Sequence, residues 1–211
     1  MQQPVILSTA YFPPAEYFSL IAHNPVVRIE KWENFLKQTY RNRCVILGAN
    51  GPLTLTVPVL RGSFHKTAIK ELEIDNSRRW GDHHLRSIIS ACATAPFFEY
   101  YFDVIEGVIR KPFRFLLDLN AEALSAVCEA AGISAEISYT EKFQPQEDAI
   151  NDYRYLITPK RPSSIMNYYD VPYIQVFREK YGFVPRLSII DVLLNNGPGT
   201  GAYLLRSLDQ Q

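Results

Sequence analysis

The sequence is poor in the features that would assign it to a secreted or metal-binding class of protein. Its 211 residues include only three cysteines, Cys44, Cys92 and Cys128. Their number is odd and they lie far apart, without the paired spacing of a zinc site, a redox motif or a disulfide framework. We therefore expect reduced thiols, no metal site and a cytoplasmic protein.

The sequence also lacks an excess of positive or negative charge and a long apolar run. Lys plus Arg and Asp plus Glu both number 22, so the chain has no overall positive field. We expect neither nucleic acid nor an anionic membrane as a partner. No stretch reaches the roughly eighteen apolar residues of a membrane span, and Met1-Gln2-Gln3-Pro4 lacks the basic start of a signal peptide. Neither secretion nor membrane insertion is predicted.

What is present is an ordinary globular composition with alternating strand and helix patterns. Hydrophobic residues make up 47% and charged residues 21%, values that exclude extensive disorder. We interpret residues 1–211 as one domain. The alternation predicts an α/β protein, with α+β as the alternative, in which helices flank a central mixed sheet that includes one β-hairpin. Residues 140–170 have no sustained period and are predicted to form a long ordered loop, which often covers a site.

Local patterns place several elements. Two β-rich segments bracket Ala49-Asn50-Gly51-Pro52, and Asn50-Gly51 can supply the positive φ angles of a hairpin turn. Asp82 is a candidate N-cap for a helix with an apolar stripe, and Asn120 for a helix over residues 121–131 that ends at Gly132. Ser188-Ile189-Ile190-Asp191 has the form of a capping box that opens a short helix.

The first strand, Val5-Ile6-Leu7, runs into a turn rich in aromatic residues and proline, Ser8 to Tyr17. Each proline removes a backbone donor and fixes φ, which ends the strand and stiffens the turn. Tyr11 and Tyr17 are amphipathic rings suited to stacking on a sugar, although such rings more often pack in the core. A ligand-binding corner and a purely structural corner both fit this pattern.

The segment 37–43 concentrates cations and hydrogen-bonding side chains just before the hairpin. We predict ligand-binding roles for Lys37, Gln38, Tyr40, Arg41, Asn42 and Arg43. Arg41 and Arg43 are the best candidates for holding an anion, because a guanidinium matches the oxygens of phosphate or carboxylate. The alternative is a solvated charged turn that pairs with Glu30 or Glu33.

Candidate acid–base groups are few. His84 lies beside the apolar stripe of its helix and could titrate near neutral pH, but a packed histidine fits the same position. His83 and His84 are adjacent on a helix and cannot chelate one metal ion, so no metal site is predicted. Asp191 either caps its own helix or orients an amine.

A set of ordered segments resembles the WbqC-like protein family over nearly the whole chain. These segments are Tyr11-Phe12-Pro13 with Tyr17-Phe18, Gln38-Thr39-Tyr40-Arg41-Asn42-Arg43, Leu55-Thr56-Val57-Pro58, Trp80 with His84, Ala95-Pro96-Phe97-Phe98, Asp118-Leu119-Asn120, Tyr173-Ile174-Gln175-Val176-Phe177 and Phe183-Val184-Pro185-Arg186-Leu187-Ser188-Ile189-Ile190-Asp191. The resemblance implies a bacterial protein, some relatives of which are encoded with surface-polysaccharide (O-antigen) genes. Glycine transfer onto an amino sugar has been suggested for some members. Where many members have His-Gln-Pro, this chain has Leu7-Ser8-Thr9, so a histidine that could act in the family is absent.

Two functions fit these observations. In the first, a transferase acts on a nucleotide-linked or amino sugar: Arg41 and Arg43 hold phosphate or carboxylate, Tyr11 and Tyr17 stack on the sugar, His84 or Asp191 handles a proton, and Asn42 or Gln175 fixes orientation. An activated aminoacyl donor or ATP would come from outside, and the residues do not identify a cofactor. In the second, the same pocket belongs to a non-catalytic binding or assembly module, which the lack of a nucleophile beside a base favours.

Overall fold

The computed structural model combines strands and helices, and it describes residues 3–60, 67–145 and 151–208. The strands are β1 (Val5–Ser8), β2 (Val26–Glu30), β3 (Arg43–Gly48), β4 (Gly51–Thr56) and β5 (Glu136–Tyr139). The helices are α1 (Ala15–His23), α2 (Trp80–Cys92), α3 (Phe98–Arg110), α4 (Leu116–Ala131), α5 (Arg178–Tyr181), α6 (Ile189–Asn196) and α7 (Thr200–Arg206). The predicted α/β class is confirmed. None of these described helices combines the length and apolar character needed to cross a bilayer.

A parallel sheet with the order β1-β2-β5 positions the site. Val5 pairs with Val27, and Val27 pairs with Ile137. All four residues of β1 are buried, which suits a parallel strand covered on both faces. The helix α1 connects β1 to β2 as a βαβ crossover. The carboxyl ends of the three strands therefore meet at one edge, where open α/β sheets commonly bind ligands.

The predicted hairpin is confirmed, but its turn and its sheet differ from expectation. Strands β3 and β4 form a separate two-stranded antiparallel sheet, so the expectation that the hairpin joins the central sheet is wrong. Gly48 pairs with Gly51, which leaves Ala49 and Asn50 as the two-residue turn. Gly51 alone of these residues has a positive φ, 105°. The turn is therefore centred on Ala49-Asn50, not on Asn50-Gly51, and the positive φ belongs to the first residue of β4.

Two predicted helix caps are wrong. The helix α2 begins at Trp80, and the carboxylate of Asp82 accepts a hydrogen bond of 2.8 Å from Arg79 Nε instead of capping. The helix α4 begins at Leu116, so Asn120 lies within it. The Asn120 amide donates to Thr9 Oγ1 at 3.0 Å and to the Arg41 carbonyl at 2.8 Å. These distant partners outweigh the local preference of Asn for a cap.

The start of α6 agrees with the prediction at Ser188 and differs from it at Asp191. Ser188 Oγ accepts from the Ile190 N–H, which confirms Ser188 as the N-cap. Asp191 does not complete a capping box, because its carboxylate accepts from the Tyr173 hydroxyl at 2.6 Å. The core is a single cluster of buried apolar residues to which α1, α4 and α6 contribute.

The long segment 151–177 contains no helix or strand, as predicted for the part of residues 140–170 that the structure describes. Its start follows the outer edge of β1. The Ile6 N–H donates to the Asn151 carbonyl at 3.0 Å, and the Tyr153 N–H donates to the Ile6 carbonyl at 2.9 Å. These two bonds place the side chains of residues 153–157 over the carboxyl end of β1.

Candidate functional site

A narrow pocket lies at the carboxyl end of β1, which we call the Arg41 pocket. Four parts of the chain build it: the end of β1 and the turn after it, the helix α1, the 3-10 turn Tyr40–Asn42, and the long segment 151–177. It is lined by Leu7, Ser8, Thr9, Ala10, Tyr17, Tyr40, Arg41, Tyr153, Arg154 and Ile157.

Arg41 forms the polar wall of this pocket and is only 3% exposed. Its Nε donates to Glu33 Oε1 at 2.9 Å and its Nη2 to Glu33 Oε2 at 2.6 Å, a two-pronged ion pair. Nη2 also donates to Ser8 Oγ at 2.7 Å. The alternative prediction was a solvated charged turn that pairs with Glu30 or Glu33. The ion pair with Glu33 is present, but it is buried and not solvated. Nη1 makes no hydrogen bond to the residues that the structure describes.

Arg154 is the second guanidinium of the site, and the sequence did not single it out. It donates through Nε and Nη2 to Asp152 at 2.6 to 3.0 Å and through Nη1 to Glu30 at 3.2 Å. Glu30 is fully buried and also accepts from the Trp32 N–H at 2.7 Å. The signal that could have pointed to Arg154 was the charged triplet Asp152-Tyr153-Arg154 in a segment without hydrophobic periodicity. Its partner Glu30 lies 124 residues away, which no local pattern reveals.

Ser8 and Thr9 both line the pocket, and their hydroxyls hydrogen bond with residues around it. Ser8 Oγ donates to the Arg154 carbonyl at 3.0 Å while it accepts from Arg41, so one hydroxyl links the two arginines. Thr9 Oγ1 accepts from Asn120 Nδ2. The half-buried ring of Tyr155 lies near both guanidinium carbons, 5.9 Å from that of Arg41 and 5.6 Å from that of Arg154.

The other members of the segment 37–43 do not share one site. Tyr40 lines the pocket with Arg41. Arg43 does not line it, and its Nε is buried without a described partner. The amide of Asn42 donates to the Val57 carbonyl at 2.8 Å. Lys37 and Gln38 are exposed, and Gln38 has a left-handed backbone with φ 58°.

Tyr11 and Tyr17 are both buried, but only one lines the pocket. The hydroxyl of Tyr17 donates to the Ser8 carbonyl at 2.8 Å and fixes the pocket's edge. The hydroxyl of Tyr11 lies 3.0 Å from His84 Nδ1. Burial raises the pKa of both phenols.

His84 fits the packed-histidine alternative. Its Nε2 lies 3.2 Å from the Thr56 carbonyl, which can only accept, so Nε2 carries the proton and Nδ1 accepts from Tyr11. Burial lowers the pKa of His84 to about 4, so the ring is neutral at pH 7. Both nitrogens are occupied, and His84 is not among the residues that line the Arg41 pocket.

Asp191 and Gln175 form a second polar cluster apart from the pocket lining. The Tyr173 hydroxyl donates to Asp191 Oδ1 at 2.6 Å and accepts from Gln175 Nε2 at 3.2 Å. The Gln175 amide also pairs with the Val184 backbone in both directions, at 2.8 and 2.9 Å. Burial raises the pKa of Asp191 to about 6. Gln175 lines a separate surface groove with Asn195.

Thiol and metal chemistry have no prepared site in the described ranges. All three cysteines are buried and free. Burial raises the thiol pKa of Cys44 to about 12 and of Cys128 to about 11, and it raises that of Cys92 as well. A thiol with a raised pKa is a poor nucleophile. No group of three or more His, Cys, Asp or Glu side chains is arranged there to hold a metal ion.

Comparison with known proteins places the chain in a family. The uncharacterized protein Rv1507c of Mycobacterium tuberculosis is 26% identical over 230 aligned residues, which cover 97% of this chain and 98% of the relative. No solved structure matches the chain. A family model described as the WbqC-like protein family matches residues 9–159, a range that includes most of the pocket lining. The chain belongs to the WbqC-like protein family.

Proposed function

We propose that the chain binds a nucleotide-linked amino sugar at the Arg41 pocket, whose cavity of about 10 Å³ must widen to admit it, and that it acts as a transferase in bacterial surface-polysaccharide (O-antigen) biosynthesis. One observation carries the binding step. A buried guanidinium lines a pocket at the carboxyl edge of a parallel sheet, and its Nη1 donors are unused by the described residues. A phosphate oxygen is a suitable acceptor for them.

The charge of the pocket wall favours a ligand that also carries an amine. Three buried carboxylates, those of Glu30, Glu33 and Asp152, face two guanidiniums, those of Arg41 and Arg154. The cluster therefore has a formal surplus of one negative charge. A ligand with phosphate alone would add to that surplus, whereas an ammonium group would reduce it. An amino sugar on a nucleotide carries both groups, so its ammonium offsets part of the negative charge that its phosphates bring.

The transferase step needs a donor that the chain does not supply. Aminoacyl transfer to an amine, glycine transfer included, would use a carboxyl that is already activated in an aminoacyl donor, or the carboxyl of glycine activated by ATP, and the activating group would leave as the amide forms. Asp191 and His84 are the proposed proton-handling groups, although both lie outside the pocket lining.

A non-catalytic binding module is the second candidate, and a specific observation favours it. Both nitrogens of His84 are hydrogen bonded, and the carboxylates of Glu33 and Asp152 are each paired to an arginine. Neither His84 nor the described part of the pocket wall thus offers a free base next to a nucleophile. Such a module would hold the same sugar ligand without turnover.

Isothermal titration with uridine diphosphate glucosamine tests the binding step. Arg41→Lys keeps a positive charge opposite Glu33 but loses the planar fork, so we expect affinity to fall by about tenfold or more. Arg78→Lys is the matched control, because Arg78 is 74% exposed and should leave affinity unchanged. Equal affinity in all three proteins, or no binding by the wild type, would contradict the proposal.

Mass spectrometry of the ligand then separates the two candidates. The protein is incubated with uridine diphosphate glucosamine, glycine and ATP. A product that carries an added glycyl group supports the transferase. Ligand that binds but leaves the mixture unchanged supports the module.

A further inference from the structure

The surface groove that Gln175 and Asn195 line, which we call the Asn195 groove, shares no lining residue with the Arg41 pocket. Its walls are the junction between α2 and α3, the chain just before α5, the start of α5 and the end of α6. It has a volume of about 590 Å³, which lies in the range of sites that bind small molecules. The proposed function makes no use of this groove.

Asn195 brings an unpaired amide oxygen to the wall of the groove. The residue lies in the last turn of α6 and is only 8% exposed. Its Nδ2 donates to the Asp191 carbonyl at 2.8 Å, and because a carbonyl can only accept, this bond identifies the nitrogen of the amide. The other amide atom, Oδ1, accepts no hydrogen bond within the described part of the chain. A buried acceptor in the wall is thus available to a donor that enters the groove.

The surroundings of this oxygen favour a donor with positive charge. Asn195 is the second-last residue of α6, and the carboxyl end of a helix carries partial negative charge. The carboxylate of Asp191 lies 3.4 Å from the nitrogen of the same amide. An ammonium group supplies both the positive charge and several N–H donors.

Arg178 and Glu179 bring opposite charges to the same groove. Both residues line it, and both are exposed. Adjacent residues of a helix do not face each other, and neither side chain forms an ion pair with any residue that the structure describes. The guanidinium matches the oxygens of a carboxylate, while the Glu179 carboxylate is a further acceptor for an ammonium group. The groove therefore suits a ligand that carries both charges.

Apolar side chains complete the lining. Ile174 is 67% exposed, and Val176 and Pro96 lie along the groove with it. An apolar group that covers Ile174 removes hydrocarbon surface from water, which favours binding. A ligand with an apolar side chain thus fits better than one without.

We propose that the Asn195 groove binds a free α-amino acid with an apolar side chain. The ammonium group donates to Asn195 Oδ1 and to Glu179, the carboxylate accepts from Arg178, and the side chain packs on Ile174. This inference does not rest on the proposed function, because the two sites have separate linings.

Isothermal titration of the full chain with L-leucine and three analogues tests the chemistry of the ligand. N-acetyl-L-leucine lacks the ammonium group, L-leucinamide lacks the carboxylate, and glycine lacks the side chain. We expect each analogue to bind about tenfold more weakly than leucine, or weaker still. An analogue that binds as tightly as leucine, or a wild-type protein that does not bind leucine at millimolar concentration, overturns the proposal.

Arg178→Gln tests where the carboxylate is held. This exposed position has no ion pair to lose among the described residues, so the variant should fold as the wild type does. We expect about tenfold weaker binding of leucine and unchanged binding of leucinamide, which has no carboxylate. Arg86→Gln, an exposed change on α2 outside this groove, is the matched control and should alter neither affinity. Leucine that binds Arg178→Gln as tightly as the wild type overturns the assignment.

Asn195→Leu tests the amide oxygen in the same way. Leucine should bind this variant about tenfold more weakly, whereas N-acetyl-L-leucine should bind it as it binds the wild type. If the variant does not fold, Glu179→Gln at the exposed end of the ammonium site carries the same expectation. Equal loss for both ligands overturns the ammonium contact. Arg41→Lys should leave leucine binding unchanged, so the outcome here is separate from that of the proposed function.

Discussion

The charged side chains around Arg41 use nearly all of their hydrogen-bonding capacity inside the protein. Glu33 accepts two bonds from Arg41, and Glu30 accepts from Arg154 and from the Trp32 backbone. A buried ion pair of this kind is costly to break, because the remaining partner is left as an uncompensated charge. The proposed ligand contact is therefore confined to the few donors left over, above all those of Arg41 Nη1.

At Asp191, in contrast to the ion pairs around Arg41, burial disfavours the charged form of the carboxyl group. Its pKa of about 6 lies above the ordinary value of 3.8, so the folded protein holds this proton more tightly than the unfolded chain. The contribution to stability is complete below about pH 4 and is lost as the pH rises through about 6. Above that pH the folded state carries a buried carboxylate whose charge is unfavourable.

Asp191→Asn should remove this dependence on pH. Asn can still accept from the Tyr173 hydroxyl, but it carries no charge. The difference in unfolding free energy, variant minus wild type, should be larger at pH 7.5 than at pH 4 by up to about 3 kcal/mol. Urea unfolding at both pH values measures the difference. Asp103→Asn, on the exposed side of α3, is the control, and a parallel response of the two variants would contradict the expectation.

At the scale of the element, the sequence predicted what local patterns specify. The β1 strand, the hairpin and the helix end at Gly132 follow from apolar runs and turn residues, and all three are present. Helix starts were less predictable. Asn120 has the chemistry of a cap, but its amide bonds Thr9 and Arg41, which lie 111 and 79 residues away. Tertiary partners decided the role of that side chain.

The junction after α6 offers a direct test of packing. A Cβ added at Gly197 would lie 2.4 Å from Phe97 Cγ, and the backbone there has φ 51°. Gly197→Ala should therefore lower the free energy of unfolding by about 2 to 4 kcal/mol through overpacking and backbone strain. Gly107→Ala, in the exposed interior of α3 with open space at the Cβ, should raise it by about 0.5 to 1 kcal/mol. Thermal or urea unfolding measures both, and changes of the same sign would count against this account.

At the scale of the whole molecule, Arg154 connects parts of the chain that no local pattern relates. Its guanidinium joins Asp152 of the long segment to Glu30 at the end of β2, and its carbonyl accepts from Ser8 at the end of β1. The sequence predicted a long ordered loop but could not say where it lies. Pairing over such separations depends on the assembled sheet.

Arg154→Leu should destabilise the protein and loosen the long segment. It leaves the buried carboxylates of Glu30 and Asp152 without their cation, a change that costs about 3 to 5 kcal/mol. Urea unfolding gives the loss, and hydrogen exchange of the Tyr153 amide, which bonds the Ile6 carbonyl, reports the loosening.

Arg114→Leu is the matched control for that change. Arg114 is 71% exposed and pairs with Glu73 at the surface, so its removal should cost less than about 1 kcal/mol. A loss as large as that of Arg154→Leu, or a Tyr153 amide that exchanges at the wild-type rate in Arg154→Leu, would show that the buried cluster does not hold the segment.

The burial of every cysteine has a practical consequence. Cys44, Cys92 and Cys128 are shielded by different parts of the core, and burial keeps their thiols protonated. A maleimide dye should therefore modify them only when the core opens, so the labelling rate reads out global opening of the native chain. Peptide mapping of the three labelled sites would then show whether the hairpin, α2 and α4 open together or one after another.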